Sequence, residues 1–367
     1  MADFFFYRGR WALAAVLKAL NVKKGGKVAL QGFTCTAVPE AIASIGAVPI
    51  FFDVEKSSVN CEYLGYPDSF FSDVSAIVIQ HTYGYEADLS RLEYLSNKFD
   101  IPVIEDCAHI NFLEERRGRM NKCICASFYS FEWGKPIPVG LGGALRLYSE
   151  ELEAKIMERE VGLIDPPKLK QLKIELQFYA FNLLYRPRFF FVIKEMFEIA
   201  NKLRLGEANQ NNMLSFYESS PEADWKISPR VRTRISKLEI DNIERERQQN
   251  HLLAIYQVYK LSLDKWAIQG GGGQEIALRY PVKVVNKADV LTSARKAGIE
   301  LSDWYSTPVD PLSLQECESI GWHVGHCTRA ISLCESVVTL PINSRVSIAQ
   351  AKKSSNFLKL IMEKEGG

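Results

Sequence analysis

Apolar positions along the first half of the chain alternate between two periods. Trp11 to Leu20 repeats at the spacing of an amphipathic helix, and Lys27-Val28-Ala29-Leu30 is a short run of the buried-strand type. Thr36 to Ile45 reads as helix stopped by Gly46, followed by a strand over Val48-Pro49-Ile50-Phe51-Phe52-Asp53. Ser75 to Gln80 is another strand, Leu89 to Phe99 a helix opening after Asp88 as N-cap, and Ile101 to Asp106 a buried-type strand ending on acid. Strands separated by helices predict βαβ units and a mostly parallel sheet. Ligands of such sheets collect at the carboxyl ends of the strands, where this reading places Thr34, His81, Asp106 and Ser130.

The pattern changes from about Leu152 to Asp224. A helical stretch rich in aromatics, Phe178 to Lys194, is too interrupted by charge to span a bilayer, so it reads first as a packed elaboration or a dimer contact, with docking on a membrane surface as the alternative. Asn209 to Ser220 reads as a loop, Lys237 to Leu261 as a charged connecting helix, and Gly270 to Gly273 as a flexible turn without the lysine ending of a phosphate loop. Arg279-Tyr280-Pro281-Val282-Lys283-Val284-Val285 then opens a smaller α/β unit. The division expected is a large domain over 1–240, with an insertion at about 160–224, and a small domain with its connecting helix over 241–367.

Composition narrows the function. Lys and Arg total 45 against 44 Asp and Glu, so no global field recruits nucleic acid or an anionic membrane, and neither is expected as a partner. The N-terminus lacks the basic and apolar regions of a secretory signal, and the eight cysteines are scattered rather than arranged as a framework, which suits a cytoplasmic protein with reduced thiols. His323-Val324-Gly325-His326-Cys327 has metal-like residue types but no second cluster at finger spacing, so no metal is expected.

The chemistry concentrates between Ala126 and Gly143. A lone lysine, Lys135, stands five residues after Ser130, between an apolar strand-like run and the turn Gly140-Leu141-Gly142-Gly143. Upstream, Asp106 closes a strand of otherwise apolar character, where a carboxylate would be desolvated without an obvious partner. An amine and a carboxylate so placed suit pyridoxal phosphate: the lysine could hold the aldehyde as a Schiff base, the serine a phosphate oxygen, and the acid the protonated ring nitrogen. Glu105 is the alternative acid, with Asp106 then capping the following segment.

These pieces, with Gly9-Arg10-Trp11-Ala12-Leu13, Phe33-Thr34, Gly46 to Val54, His81-Thr82-Tyr83-Gly84, Glu105-Asp106-Cys107-Ala108-His109 and Thr339-Leu340-Pro341-Ile342, resemble the DegT/DnrJ/EryC1/StrS sugar aminotransferases. The resemblance runs from about Gly9 to Leu340 and is weakest between Gly162 and Asp224. It implies the α/β fold of pyridoxal-phosphate-dependent transferases, the aspartate aminotransferase-like fold type I, and a homodimer. It implies catalysis by Lys135 and Asp106, with a cofactor held by Gly9, Arg10, Trp11, Cys35, Asp106, His109, Ser130 and Lys135. The substrates implied are an amino-acid donor, glutamate first, and a nucleotide-linked keto sugar used in polysaccharide, glycolipid or glycosylated-metabolite synthesis.

Three departures from the family pattern stand out. Gly9-Arg10-Trp11 replaces the common Gly-Thr-Ala, so a hydroxyl is lost and a guanidinium gained that could pair with phosphate or point away. Cys35 stands where an aromatic usually stacks on the ring, and Asp224 or its neighbours stand where an asparagine reaches the partner subunit's phosphate. Two alternatives share the fold: a pyridoxamine-dependent sugar dehydratase, whose branch has histidine at the position of Lys135, and a non-catalytic or regulatory member.

Overall fold

The structure, a computed structural model, describes residues 2–61, 63, 65–113, 123–184, 220–268 and 277–365. Most of the aromatic run after Leu184, most of the polar stretch from Asn209, the basic run Glu114 to Arg119 and the turn Gly270 to Gly273 lie outside these residues.

A seven-stranded sheet organises the first half. In chain order its strands are β1 (Ala2–Phe6), β2 (Lys27–Gln31), β4 (Val48–Phe52), β5 (Val74–Gln80), β6 (Val103–Asp106), β7 (Ile124–Ser130) and β8 (Gly143–Leu147), with β3 (Thr34–Cys35) lying outside it. Across the sheet they run β1-β8-β7-β6-β5-β2-β4. Strands β4, β2, β5, β6 and β7 are mutually parallel, while β8 runs antiparallel to both β7 and β1. Parallel strands covered on both faces must be apolar throughout, which is why β5 and β6 are almost wholly buried.

Helix α1 (Gly9–Ala19) is buried along nearly its whole length and packs against β7, β8 and α2 (Ala37–Ser44). Helix α2 ends before Gly46, whose φ of 77° is a left-handed turn that glycine adopts without steric cost. At the start of β8, a Cβ on Gly143 would meet Gly9 N at 2.4 Å, so only glycine lets the strand approach the first residue of α1. Helix α3 covers Ser90–Phe99; Leu89 takes the cap position, and Asp88, expected there, instead accepts the Ser90 N–H at 2.9 Å.

Helices α4 (Glu150–Val161) and α5 (Lys168–Leu184) follow. The inner face of α5 buries Ile174 and Phe181, and its outer face leaves Leu169, Leu172, Leu176, Tyr179 and Leu183 more than half exposed. The connecting helix expected over Lys237 to Leu261 is two helices, Pro229–Ile240 and Asn242–Leu263. The break falls at Asp241, whose carboxylate caps the second helix by accepting the Glu244 N–H at 3.0 Å.

Beyond it, β9 (Arg279–Lys283) and β11 (Val337–Pro341) form a separate antiparallel pair, covered by Lys287–Lys296, Thr328–Ser336 and Ile348–Glu365. The short β10 (Val309–Asp310) leaves this unit to pair in parallel with β3. That ladder brings the C-terminal half to the carboxyl edge of the large sheet, beside Cys35. Among the described residues no helix is long and apolar enough to cross a membrane.

Candidate active site

Alternation along β6 sends its two terminal acids to opposite faces. Glu105 accepts the Ser127 hydroxyl at 2.6 Å and lies 3.2 Å from His81 Nε2, with the Cys107 thiol 3.9 Å away. His81 Nδ1 accepts the Ala87 N–H, so its proton sits on Nε2 and is donated to Glu105. His81, Glu105 and Cys107 are close enough to share a cation, but these internal hydrogen bonds already occupy them. Glu105 therefore belongs to a saturated buried network.

Asp106 is buried too, and is left far less satisfied. Its Oδ1 accepts the Ala108 N–H at 2.9 Å, and it forms no ion pair among the described residues. Burial pushes its pKa up, opposed by the Ala108 hydrogen bond and then by the proximity of Lys135 and His81.

Lys135 follows Gly134 (φ 79°) in the turn after β7 and is half-buried. Its ammonium also weighs on Cys35, whose thiol is raised first by burial, and on His109. Lys135 Nζ lies 5.0 Å from the ring centroid of Trp304, within cation–π range. The neighbouring Trp133 packs on Phe181 of α5 at 4.5 Å, which anchors the lysine turn to that helix.

His109 is fully enclosed. Tyr83 donates its backbone N–H to His109 Nδ1 at 3.0 Å, which leaves the imidazole proton on Nε2. Tyr83 has a left-handed backbone (φ 58°), uncommon for a bulky side chain and in keeping with a backbone committed to one contact. Burial, then the nearby charges of Lys135 and Arg279, hold the His109 pKa well below its ordinary value, so the ring is neutral.

Around these groups stand Phe33, Tyr83, Trp304 and Tyr305. Trp304 meets His109 edge-on at 4.9 Å, Tyr305 meets Phe33 at 5.1 Å, and the Tyr83 hydroxyl donates to the Trp304 carbonyl. The Arg279 guanidinium lies 5.3 Å from the Trp304 ring, and its buried Nη1 has no hydrogen-bond partner among the described residues. A buried guanidinium nitrogen without an acceptor is costly unless a ligand completes it.

On the α1 side, Ser130 pairs in register with Gly143, and its hydroxyl makes no hydrogen bond among the described residues. Gly9 begins α1, and no side chain caps that helix or places an acid in its first turn. Arg10 is buried and ion-paired to Glu40 of α2, so the guanidinium considered for phosphate already has an anionic partner. Trp11 is buried, and its indole N–H has no acceptor among the described residues. Asp224 lies 3.7 Å from Arg159, and the exposed His323 and His326 rings meet edge-on at 5.9 Å.

The structure thus brings Lys135, Asp106, His109 and Cys35 into one electrostatic neighbourhood, and sets Gly9 beside Ser130. The sequence reading omitted Trp304, Tyr305 and Arg279. Nothing in their local pattern marks them: Trp304 and Tyr305 stand just ahead of β10, which pairs with β3, and Arg279 follows Leu278, whose N–H donates to the Tyr83 carbonyl at 2.7 Å.

The fold is that of pyridoxal-phosphate-dependent aminotransferases. A solved structure of Streptomyces venezuelae DesV in complex with a ketimine intermediate superposes with a TM-score of 0.71 at 16% identity, over 98% of this chain and 85% of that one. A sugar aminotransferase from Streptococcus pneumoniae solved in its PLP form gives 0.67 at 16% identity, over 99% and 87%. The model of the DegT/DnrJ/EryC1/StrS aminotransferase family matches residues 8–176 of this chain. A UDP-2-acetamido-2-deoxy-3-oxo-D-glucuronate aminotransferase of Pseudomonas aeruginosa is 30% identical over 154 residues, spanning 41% of this chain and 42% of the relative.

Asp106 supplies a stability test. Its raised pKa means that the folded chain holds this proton more tightly than the unfolded one. The stability so contributed is complete below the unfolded pKa of about 3.9 and is lost as pH rises through the folded value. Cofactor-free Asp106→Asn is therefore expected to melt above cofactor-free wild type near neutral pH, with the gap closing towards about pH 4. Calorimetric melts across that range check it, and a variant that melts lower at neutral pH contradicts it.

Proposed function

We propose that this protein is a pyridoxal-phosphate-dependent aminotransferase carrying an amino group from an amino acid, glutamate first, to a nucleotide-linked keto sugar. The observation that carries the reading is the meeting of a half-buried amine, Lys135, with a buried carboxylate that forms no ion pair, Asp106, at the carboxyl edge of a parallel sheet. The sugar aminotransferase relatives support the substrate class.

The residues fit the cofactor. An uncapped start to α1 and the unengaged Ser130 hydroxyl suit a phosphate, and the Gly9–Gly143 approach keeps side chains out of that corner. Bound there, pyridoxal phosphate supplies an aldehyde that takes up amines and a protonated ring that draws electrons from the reacting carbon. Asp106 would keep the ring nitrogen protonated, a role that suits an acid lacking any other cation. His109, neutral with its proton on Nε2, would donate to the ring oxygen. Lys135 Nζ would hold the cofactor and, once released, move a proton between the substrate carbon and the cofactor. Trp304 would restrict water above the lysine and offset the small area of Cys35. Arg279 Nη1 would receive a substrate carboxylate, since charge-assisted hydrogen bonds answer its unmet donor.

The same reading makes residues 241–367 the smaller domain, and the protein a cytoplasmic homodimer. The apolar outer stripe of α5, Leu169, Leu172, Leu176, Tyr179 and Leu183, suits burial by a second copy, because its three-and-four spacing is that of a helix-pairing seam. Sedimentation equilibrium is expected to return a dimer, and a monomer at micromolar concentration removes this element.

Two substitutions test the chemistry. Lys135→Ala is expected to abolish the visible absorbance of retained cofactor and to lower amine transfer by roughly 10⁴-fold, with the fold preserved by circular dichroism. Retained turnover contradicts the assignment. Arg279→Met is expected to raise KM for the amino-acid donor by roughly 10- to 100-fold, with a smaller change in kcat, because a charged hydrogen bond contributes about 1.5–3 kcal/mol. An unchanged KM for every carboxylate-bearing substrate removes Arg279 from the site.

A further inference from the structure

A second cleft lies away from the side chains gathered around Lys135, none of which lines it. Its volume is about 380 Å³, and it opens between the turn after β4, the turn after the Asn242–Leu263 helix, the end of β9 and the Thr328–Ser336 helix. Four cations line it, Lys56, Lys265, Lys283 and Arg329, against a single acid, Glu55. The whole chain carries 45 basic and 44 acidic residues, so this local excess is a property of the place and not of the composition.

The cations are held differently. The Arg329 and Ala330 N–H groups donate to Asp53 at 2.9 Å, and Arg329 Nε lies 3.4 Å from the same carboxylate. Asp53 is buried beneath the helix start, where it fixes the arginine without filling the cleft. Lys265 stands over the half-buried Trp266 ring at 5.4 Å. Lys56, Lys265 and Lys283 are exposed and form no ion pair among the described residues. Ser57 and Ser332 add hydroxyls to the lining. Like charges converging on one concavity raise its potential and concentrate anions there.

We propose that this cleft binds a diphosphate-bearing ligand, separate from the proposed catalytic site. A single carboxylate would leave most of the positive charge unanswered, whereas a diphosphate presents several anionic oxygens to ammonium and guanidinium donors. The volume lies in the range of small-molecule sites, roughly 300–1,000 Å³, and Trp266 offers an aromatic surface for a base. The diphosphate could be inorganic or part of a nucleotide.

Calorimetric titration of the full chain at low salt with inorganic pyrophosphate, UDP and uridine distinguishes the sources. Pyrophosphate and UDP are expected to bind and uridine not to. Lys265→Glu/Lys283→Glu is expected to weaken both anions by at least about tenfold while leaving the melting transition intact, and the milder Lys265→Gln/Lys283→Gln pair to act in the same direction. UDP binding tighter than pyrophosphate, with the difference lost in Trp266→Ala, identifies a nucleotide. Equal affinities identify the diphosphate alone. Absence of binding at about 1 mM, or affinities unchanged in both lysine pairs, overturns the proposal. Amine transfer depends on Lys135, so neither result bears on the catalytic reading.

Discussion

A carboxylate buried at the end of β6 that forms no ion pair among the described residues is the constraint around which the proposed site is arranged. Desolvation makes the charged form of Asp106 unfavourable, and one backbone N–H with the nearby Lys135 offsets only part of that cost. A fold optimised for stability alone would pair or remove such a group. Its neighbour Glu105 shows the contrast: one residue away and on the opposite face, it is surrounded by Ser127, His81 and Cys107 and has nothing left to offer a ligand.

The two halves of the chain meet over that carboxylate. The large sheet supplies Asp106, His109, Ser130 and Lys135 from strand ends and the turns that follow them. The later part supplies Trp304 and Tyr305, beside the β10–β3 ladder, and Arg279, held next to Tyr83 by the Leu278 N–H. The aromatic group formed with Phe33 and Tyr83 encloses His109 and keeps it neutral. A charged imidazole there would repel both Lys135 and Arg279.

Much of this was legible in the residue order, because parallel strands and covering helices leave strong periodic signals. Strands β2, β4, β5, β6 and β7 fall where apolar runs predict them, and a strand ending on Glu105-Asp106 with a lysine in a later glycine-rich turn is what suggests the proposed chemistry. That the two acids face opposite sides follows from strand alternation, but only a structure shows that Glu105 is saturated. The Arg10–Glu40 pair was hidden, because nothing local says that α1 and α2 bring those positions together. Trp304 and Arg279 were hidden for the same reason at greater separation. The single break at Asp241 escaped because a charged helical pattern continues across it, while one capping carboxylate decides the boundary.

The most direct test of a lysine-tethered cofactor opposite Asp106 is chemical. The purified protein, saturated with pyridoxal phosphate, is reduced with borohydride, digested and sequenced by tandem mass spectrometry. The account predicts one stoichiometric phosphopyridoxyl modification, on Lys135. Modification of a different lysine, or none above the level of a denatured control, contradicts it.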